Sequence, residues 1–153
     1  MAPADVGFDA FFFVAEPKLR AALVAAYGRE LGRDATAVAL QHAWEHRDRV
    51  LGMENPVGFL YRVGRRWAAR EARRARRQFD LARPPEPAPG FEPALHDALA
   101  RLPLRQRQVV VLVSGYGLTH AETAEVLGIA RSSVQNHVER GLRRLRHELG
   151  EDR

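Results

Sequence analysis

The chain of 153 residues contains no cysteine, which excludes a disulfide scaffold, thiol catalysis and cysteine-ligated zinc. Lysine is nearly absent too: Lys18 is the single lysine among 24 basic residues. GC-rich coding would produce the same skew, so the information lies in where the arginines sit. Long apolar runs are also missing. Stretches such as Phe11–Ala15 and Val109–Val113 fall far short of the roughly 20 residues that cross a bilayer. The N-terminus has no basic region followed by an apolar core and a cleavage site. No signal peptide and no membrane partner are expected, and the expected location is the cytoplasm.

What is present suffices for a folded chain. Apolar residues make up 46% of it, enough for a packed core, and the length fits one or two small domains. A net charge of +5 and a sequence pI near 10.6 point to a polyanionic partner. The charge is not spread evenly. Residues 1–60 and 84–130 each carry −2, whereas residues 61–83 carry +7 and residues 131–153 carry +2. A merely solvated surface rarely concentrates charge in this way.

The most legible stretch runs from Leu118 to Arg146. Thr119 with Glu122 three residues on is a capping box that opens a helix. Ala121, Ala124 and Leu127 form one face of that helix, Ala124 being small enough for a second helix to approach closely. Gly128 supplies the left-handed residue that ends it, and Ile129 plugs the corner. A second helix starts near Arg131 or Ser132. Its buried face is Val134, Val138, Leu142, Leu145 and Leu149. The opposite side carries Arg131, Ser132, Ser133, Gln135, Asn136, Glu139 and Arg140, largely side chains that bond base edges and phosphates. A capped helix, a glycine turn and a helix with a polar, basic face make a DNA-binding helix-turn-helix.

Upstream, residues 1–7 read as a loose terminus. Apolar spacing from Phe8 to Tyr27, broken near Pro17, predicts two short helices with the Phe8, Phe11 and Phe12 stripe in the core. Gly28 and Gly32 bracket a connection, and Asp34 is expected to cap a helix through about His46. His42-Ala43-Trp44-Glu45-His46 has the H-x-x-E-H spacing of one zinc-peptidase class. No matching third ligand follows, so an exposed helix with Trp44 packed inward is the simpler reading, and no metal, cofactor or catalytic centre is expected. Residues 47–56 form a loop. A helix from Val57 to about Arg77 then spans roughly 31 Å. Leu60, Val63 and Trp67 face its core. Arg62, Arg66, Arg70, Arg73 and Arg77 lie within about 80° of arc, broadened by Arg65, Arg74 and Arg76. Eight arginines against the single acid Glu71 repel one another unless an anion intervenes, and such a helix suits a phosphate backbone. Four prolines between Gln78 and Phe91 make that segment a semi-stiff linker. Beyond it, a helix from Pro93 to Arg101 and another from Leu102-Pro103 to Ser114 precede the helix-turn-helix.

The predicted fold is therefore all-α: a helical domain over 1–78, a Pro-rich linker over 79–92, and a helix-turn-helix domain over 93–153. This arrangement resembles a two-domain sigma factor of bacterial RNA polymerase, of the extracytoplasmic-function type. In the first domain the resemblance rests on Ala43-Trp44 and on Asn55-Pro56-Val57-Gly58-Phe59-Leu60-Tyr61-Arg62-Val63 leading into the arginine run. In the second it rests on Leu102-Pro103, Arg105-Gln106-Arg107 and the segment from Gly117 to Arg146. The resemblance implies promoter DNA and core RNA polymerase as partners, with an anti-sigma factor as a further one. It implies that Arg62, Arg65, Arg66, Arg70 and Arg73 hold phosphates of a melted minus-ten strand. The loop ending in Asn55 would receive a flipped base, and Tyr61 or Trp67 would stack if exposed. The helix from Arg131 would enter the major groove of a minus-thirty-five element. Asp34, Val38 and Gln41 fall on the helix that grips polymerase, although Ala37 and Val38 stand where glutamine and glutamate are usual. Ala130 occupies the usual cap position of the recognition helix, leaving Ser132 to cap it. The competing reading is a stand-alone helix-turn-helix regulator with a sigma-like frame.

Overall fold

The computed structural model describes residues 3–78 and 93–151. Two compact units divide the chain, residues 1–84 and residues 85–153. Every regular element among the described residues is helical, so the all-α expectation holds. The expected linker at 79–92 lies outside the described residues.

In the first unit α1 (Pro3–Tyr27) packs on α2 (Arg29–Glu45), and both pack on α4 (Pro56–Gln78), with the short α3 (Arg47–Leu51) between α2 and α4 in sequence. Leu19, Leu23, Ala35, Ala39, Leu60 and Ala68 are fully buried where they meet. Four expectations fail here. Residues 1–7 are not loose throughout, since α1 already begins at Pro3, and Pro17 does not divide it. A proline inside a helix costs about 3 kcal/mol. Burial of Phe8 and Ala15 before it, and of Leu19, Ala22 and Leu23 after it, outweighs that cost. Gly28, at φ +86°, is alone the break between α1 and α2. Gly32 lies inside α2, where a Cβ would stand 2.5 Å from the Val24 Cα. It is a contact point between two backbones, not a turn. Asp34 is consequently an exposed residue of α2 and caps nothing.

The 47–56 loop is partly helical, because Val50 is fully buried and anchors the single turn of α3. Trp44 is not packed inward. It is 43% exposed, meets the buried Phe8 edge-on at 5.1 Å, and carries the Arg47 guanidinium 4.4 Å above its ring. Of the aromatic stripe only Phe8 is buried, and Phe12 is exposed.

The second unit contains α5 (Pro93–Arg101), α6 (Leu104–Val110), a π-helical turn (Val111–Gly115), α7 (His120–Leu127) and α8 (Arg131–Glu148). The helix expected to run to Ser114 widens at Val111 into i→i+5 bonding, such as Tyr116 N–H to the Val111 carbonyl. The capping box is present: Glu122 N–H donates to Thr119 Oγ1 at 3.0 Å, and Thr119 N–H donates to Glu122 Oε2 at 2.9 Å. Gly128 adopts φ +65°, and Ile129 N–H reaches back to the Ala124 carbonyl. Ala121 is exposed instead of packed. Thr123, Ala124, Val126 and Leu127 form the buried face, because α7 is covered on two sides. Ser132 does not cap α8: Ala130 holds the cap position and no side chain bonds the helix start.

Candidate nucleic-acid interface

Helix α4 begins with Asn55 at its cap, the Oδ1 accepting from Gly58 N–H at 2.9 Å, and Pro56 at the first helical position. Asn55 therefore has a structural task, one that an Asn-Pro pair opening a helix signals in the sequence. Two turns on, Arg62, Arg65, Arg66, Arg70 and Arg73 are all exposed. With Ala69 and Tyr27 they line an open recess of about 320 Å³. Among the described residues, ion pairs such as Arg20–Glu16 and Arg101–Glu148 involve none of these arginines. Arg62–Arg66 and Arg66–Arg70 are like charges one turn apart, each pair destabilising by about 0.2–0.5 kcal/mol. An anion in the recess relieves that repulsion.

The stacking residues expected on this surface are placed differently. Tyr61 is 2% exposed and turned into the core, while Trp67 is half-buried and does not line the recess. The aromatic that does line it is Tyr27, whose hydroxyl lies 3.4 Å from the Arg65 carbonyl. Nothing in the local sequence links Tyr27 to a helix 38 residues away. Only the α1–α4 packing brings them together.

On α2, Asp34 and Gln41 are exposed and Val38 is half-buried. Gln41 Nε2 donates to Glu45 Oε1 at 3.2 Å. Arg33, Thr36, Ala37 and Leu40 from the same helix join Phe12, Glu16 and Arg20 of α1 around a largely apolar groove. His42 and His46 stack at 4.4 Å beside Phe59, and His46 Nδ1 lies 3.1 Å from the His42 carbonyl. Among the described residues no third metal-ligating side chain joins them.

In the second unit Arg131, Ser132, Gln135, Asn136 and Arg140 are exposed along α8, and Ser133 is half-buried. Gln135 Nε2 donates to Glu139 Oε1 at 3.2 Å. Behind this face His137 holds Nδ1 buried without a hydrogen-bond partner. Burial, reinforced by the charges of Arg105 and Arg140, lowers its pKa below the usual histidine value. Close packing of α8 depends on Gly141, where a Cβ would come within 2.5 Å of Val110 Cγ2.

Residues 93–145 match the family model described as Sigma-70, region 4. Over 57 residues the chain is 42% identical to the ECF RNA polymerase sigma factor SigM of Mycobacterium tuberculosis, in two strains. That match covers 37% of this chain and 29% of the relative, so the aligned part spans less than a third of the relative's length. Among solved structures, the sigma factor RpoE in complex with the anti-sigma factor NepR from Bartonella quintana is similar. The TM-score is 0.65 at 22% identity, over 95% of this chain and 98% of that one, a likeness of fold. CnrH, solved in complex with the cytosolic domain of CnrY, is similar at a TM-score of 0.55 and 25% identity. Coverage there is 94% of this chain and 86% of that one.

Proposed function

We propose that this chain, an extracytoplasmic-function type sigma factor by its region 4 sequence and its helical fold, directs core RNA polymerase to particular promoters. It does so without catalytic chemistry of its own and without a cofactor. The observation that carries this reading is an exposed arginine recess on α4, in the same chain as a region 4 helix-turn-helix.

Each unit has its own task. Residues 1–78 hold the melted minus-ten strand, with Arg62, Arg65, Arg66, Arg70 and Arg73 on its phosphates and the loop ending in Asn55 beside a flipped base. Residues 79–92 link the units. Residues 93–153 place α8 in the major groove of a minus-thirty-five element. There Arg131, Gln135 and Asn136 reach base edges, while Ser132, Ser133 and Arg140 position the helix on phosphates. Two small helical units lack the means to melt a duplex alone, which makes polymerase the necessary partner. Its contact is the α2 surface at Asp34, Val38 and Gln41. Because Ala37 and Val38 replace polar side chains there, the grip is weaker and less salt-dependent than an acidic surface would give. An anti-sigma factor is a further partner, as RpoE has in NepR.

Mixing the purified chain with core enzyme, at low and then physiological salt, tests this by co-migration and transcript formation. The expected result is a complex that starts transcripts from defined sites. No complex at any salt, with tight sequence-specific binding of the chain to duplex DNA, would instead make it a stand-alone regulator.

A further inference from the structure

We infer that Tyr27 and the arginines around it form a subsite for one unstacked nucleotide, its base on the tyrosine ring and its flanking phosphates on Arg62, Arg66 and Arg70. The inference rests on the reading of α4 as a single-strand surface. It adds a base-contacting residue from α1, in a place distinct from the 47–56 loop: Arg66 lies about 15 Å along α4 from Pro56.

Shape is the first argument. A duplex offers convex phosphate rails that a ridge of arginines can track. The cationic groups here instead surround an open recess of about 320 Å³. Chemistry is the second. The lining contains five guanidinium groups, one aromatic ring, one alanine and no carboxylate. Guanidinium planes and tyrosine rings both take the flat face of a base, and the guanidinium edge takes phosphate. The third argument is placement. Tyr27 is the last residue of α1, held there by the turn at Gly28 and by the contact of its hydroxyl with the Arg65 carbonyl. A tethered ring loses little freedom when a base lands on it. Tyr61 is buried in the core, so the lining ring is Tyr27.

The test uses the full chain and fluorescent oligothymidine of about 12 nucleotides, within the range of single-strand site sizes. The same backbone carrying abasic sites is the second probe. The unchanged chain should bind the abasic strand about 5- to 10-fold more weakly. Tyr27→Phe should keep that ratio. Tyr27→Leu should bind the intact strand about 5- to 10-fold more weakly and distinguish the two less well, the loop ending in Asn55 keeping the remainder, with its salt dependence unchanged. The unfolding temperature of the first unit shows whether the leucine variant is folded; the abasic comparison on the unchanged chain needs no variant. An intact-to-abasic ratio preserved in folded Tyr27→Leu, or a ratio of one in the unchanged chain, overturns the subsite. Arg66→Glu with Arg70→Glu separates the two layers. If that pair flattens the salt dependence while Tyr27→Leu changes nothing, only the tyrosine subsite is lost. If the pair leaves the salt dependence untouched, the single-strand reading of α4 falls with it.

Discussion

The arginines of α4 stand around a recess with no carboxylate paired to them among the described residues, whereas the polar face of α8 is already bonded within itself, Gln135 to Glu139. The first arrangement is dense in charge and poor in pattern. It suits phosphate, which is identical at every step of a strand. The second is sparse in charge but mixes amide, hydroxyl and guanidinium groups in two adjacent rows, and base edges differ in that vocabulary. The proposed function accordingly gives affinity to α4 and preference to α8.

The packing beneath these surfaces differs as well, and the largest predicted effect follows from it. Gly32 lets α2 lie against α1 so closely that an added Cβ meets the backbone of Val24. Gly141 lets α8 lie against α6, but the added Cβ meets a side-chain methyl of Val110. Backbone cannot step aside. Gly32→Ala should cost the first unit about 3 kcal/mol or more. That lowers its midpoint by about 12 °C or more for a domain of this size. Gly141→Ala should cost the second unit about 1–2 kcal/mol, partly offset by the better helix propensity of alanine. Calorimetry on the two variants checks this. A larger loss from Gly141→Ala than from Gly32→Ala would reverse the comparison.

The same contrast decides how far each unit could be read from its residues. In the second unit the signals are local: Thr119 and Glu122 are three residues apart, Gly128 follows one helix, and the structure uses each as expected. The first unit is held by contacts between distant residues. Its α1 is covered by both α2 and α4, so its apolar residues lie on more than one side and show no clean period. Pro17 and Gly32 therefore looked like punctuation, whereas burial on both sides of Pro17 and backbone contact at Gly32 made them interior residues. The arginine stripe was legible because charge periodicity survives without packing. Tyr27 was not, because its partners are assembled only by the fold.

The next effect separates affinity from preference. The four arginines of one stripe, Arg62, Arg66, Arg70 and Arg73, predict a slope of log affinity against log salt near −3 for single strands. Arg66→Glu with Arg70→Glu should roughly halve that slope and leave duplex preference unchanged. Gln135→Ala should do the opposite on duplex DNA, removing about 1–3 kcal/mol of discrimination at one base pair. Paired salt titrations on single-stranded and duplex probes measure both. Equal weakening of every duplex sequence by Gln135→Ala would remove the base-reading role from α8.

Smaller again are the helix caps. Thr119→Ala removes the hydroxyl that accepts from Glu122 N–H, leaves the backbone bond to Glu122 Oε2, and should cost about 1 kcal/mol, which is about 4–8 °C in the midpoint of the second unit. Ala130→Ser supplies the cap that α8 lacks and should return a similar amount. If the serine variant gains nothing, the start of α8 is satisfied in some other way.

The smallest effect tests whether the second unit senses pH. His137 sits half-buried on α8 with Nδ1 unpartnered, and burial plus the charges of Arg105 and Arg140 hold its pKa below the ordinary value near 6.5. The folded unit therefore binds this proton less readily than the unfolded chain does. Stability is full above about pH 6.5 and falls as pH drops below it toward the lowered pKa, because unfolding then takes up a proton. His137→Gln removes the linkage while keeping a polar side chain. The expected outcome is that the second unit of the unchanged chain loses slightly more stability than the variant between about pH 7.5 and about pH 5.5. The difference should be smaller than the loss from Thr119→Ala, because solvent screens a group that is not fully buried. Duplex DNA sharpens the point. Phosphates arriving near Arg105 and Arg140 neutralise the charges that oppose protonation, so bound DNA should raise the His137 pKa and shrink the difference. Unfolding curves at both pH values, with and without duplex, measure this. An equal pH dependence in the histidine and glutamine chains would assign the acid sensitivity of this unit to other groups.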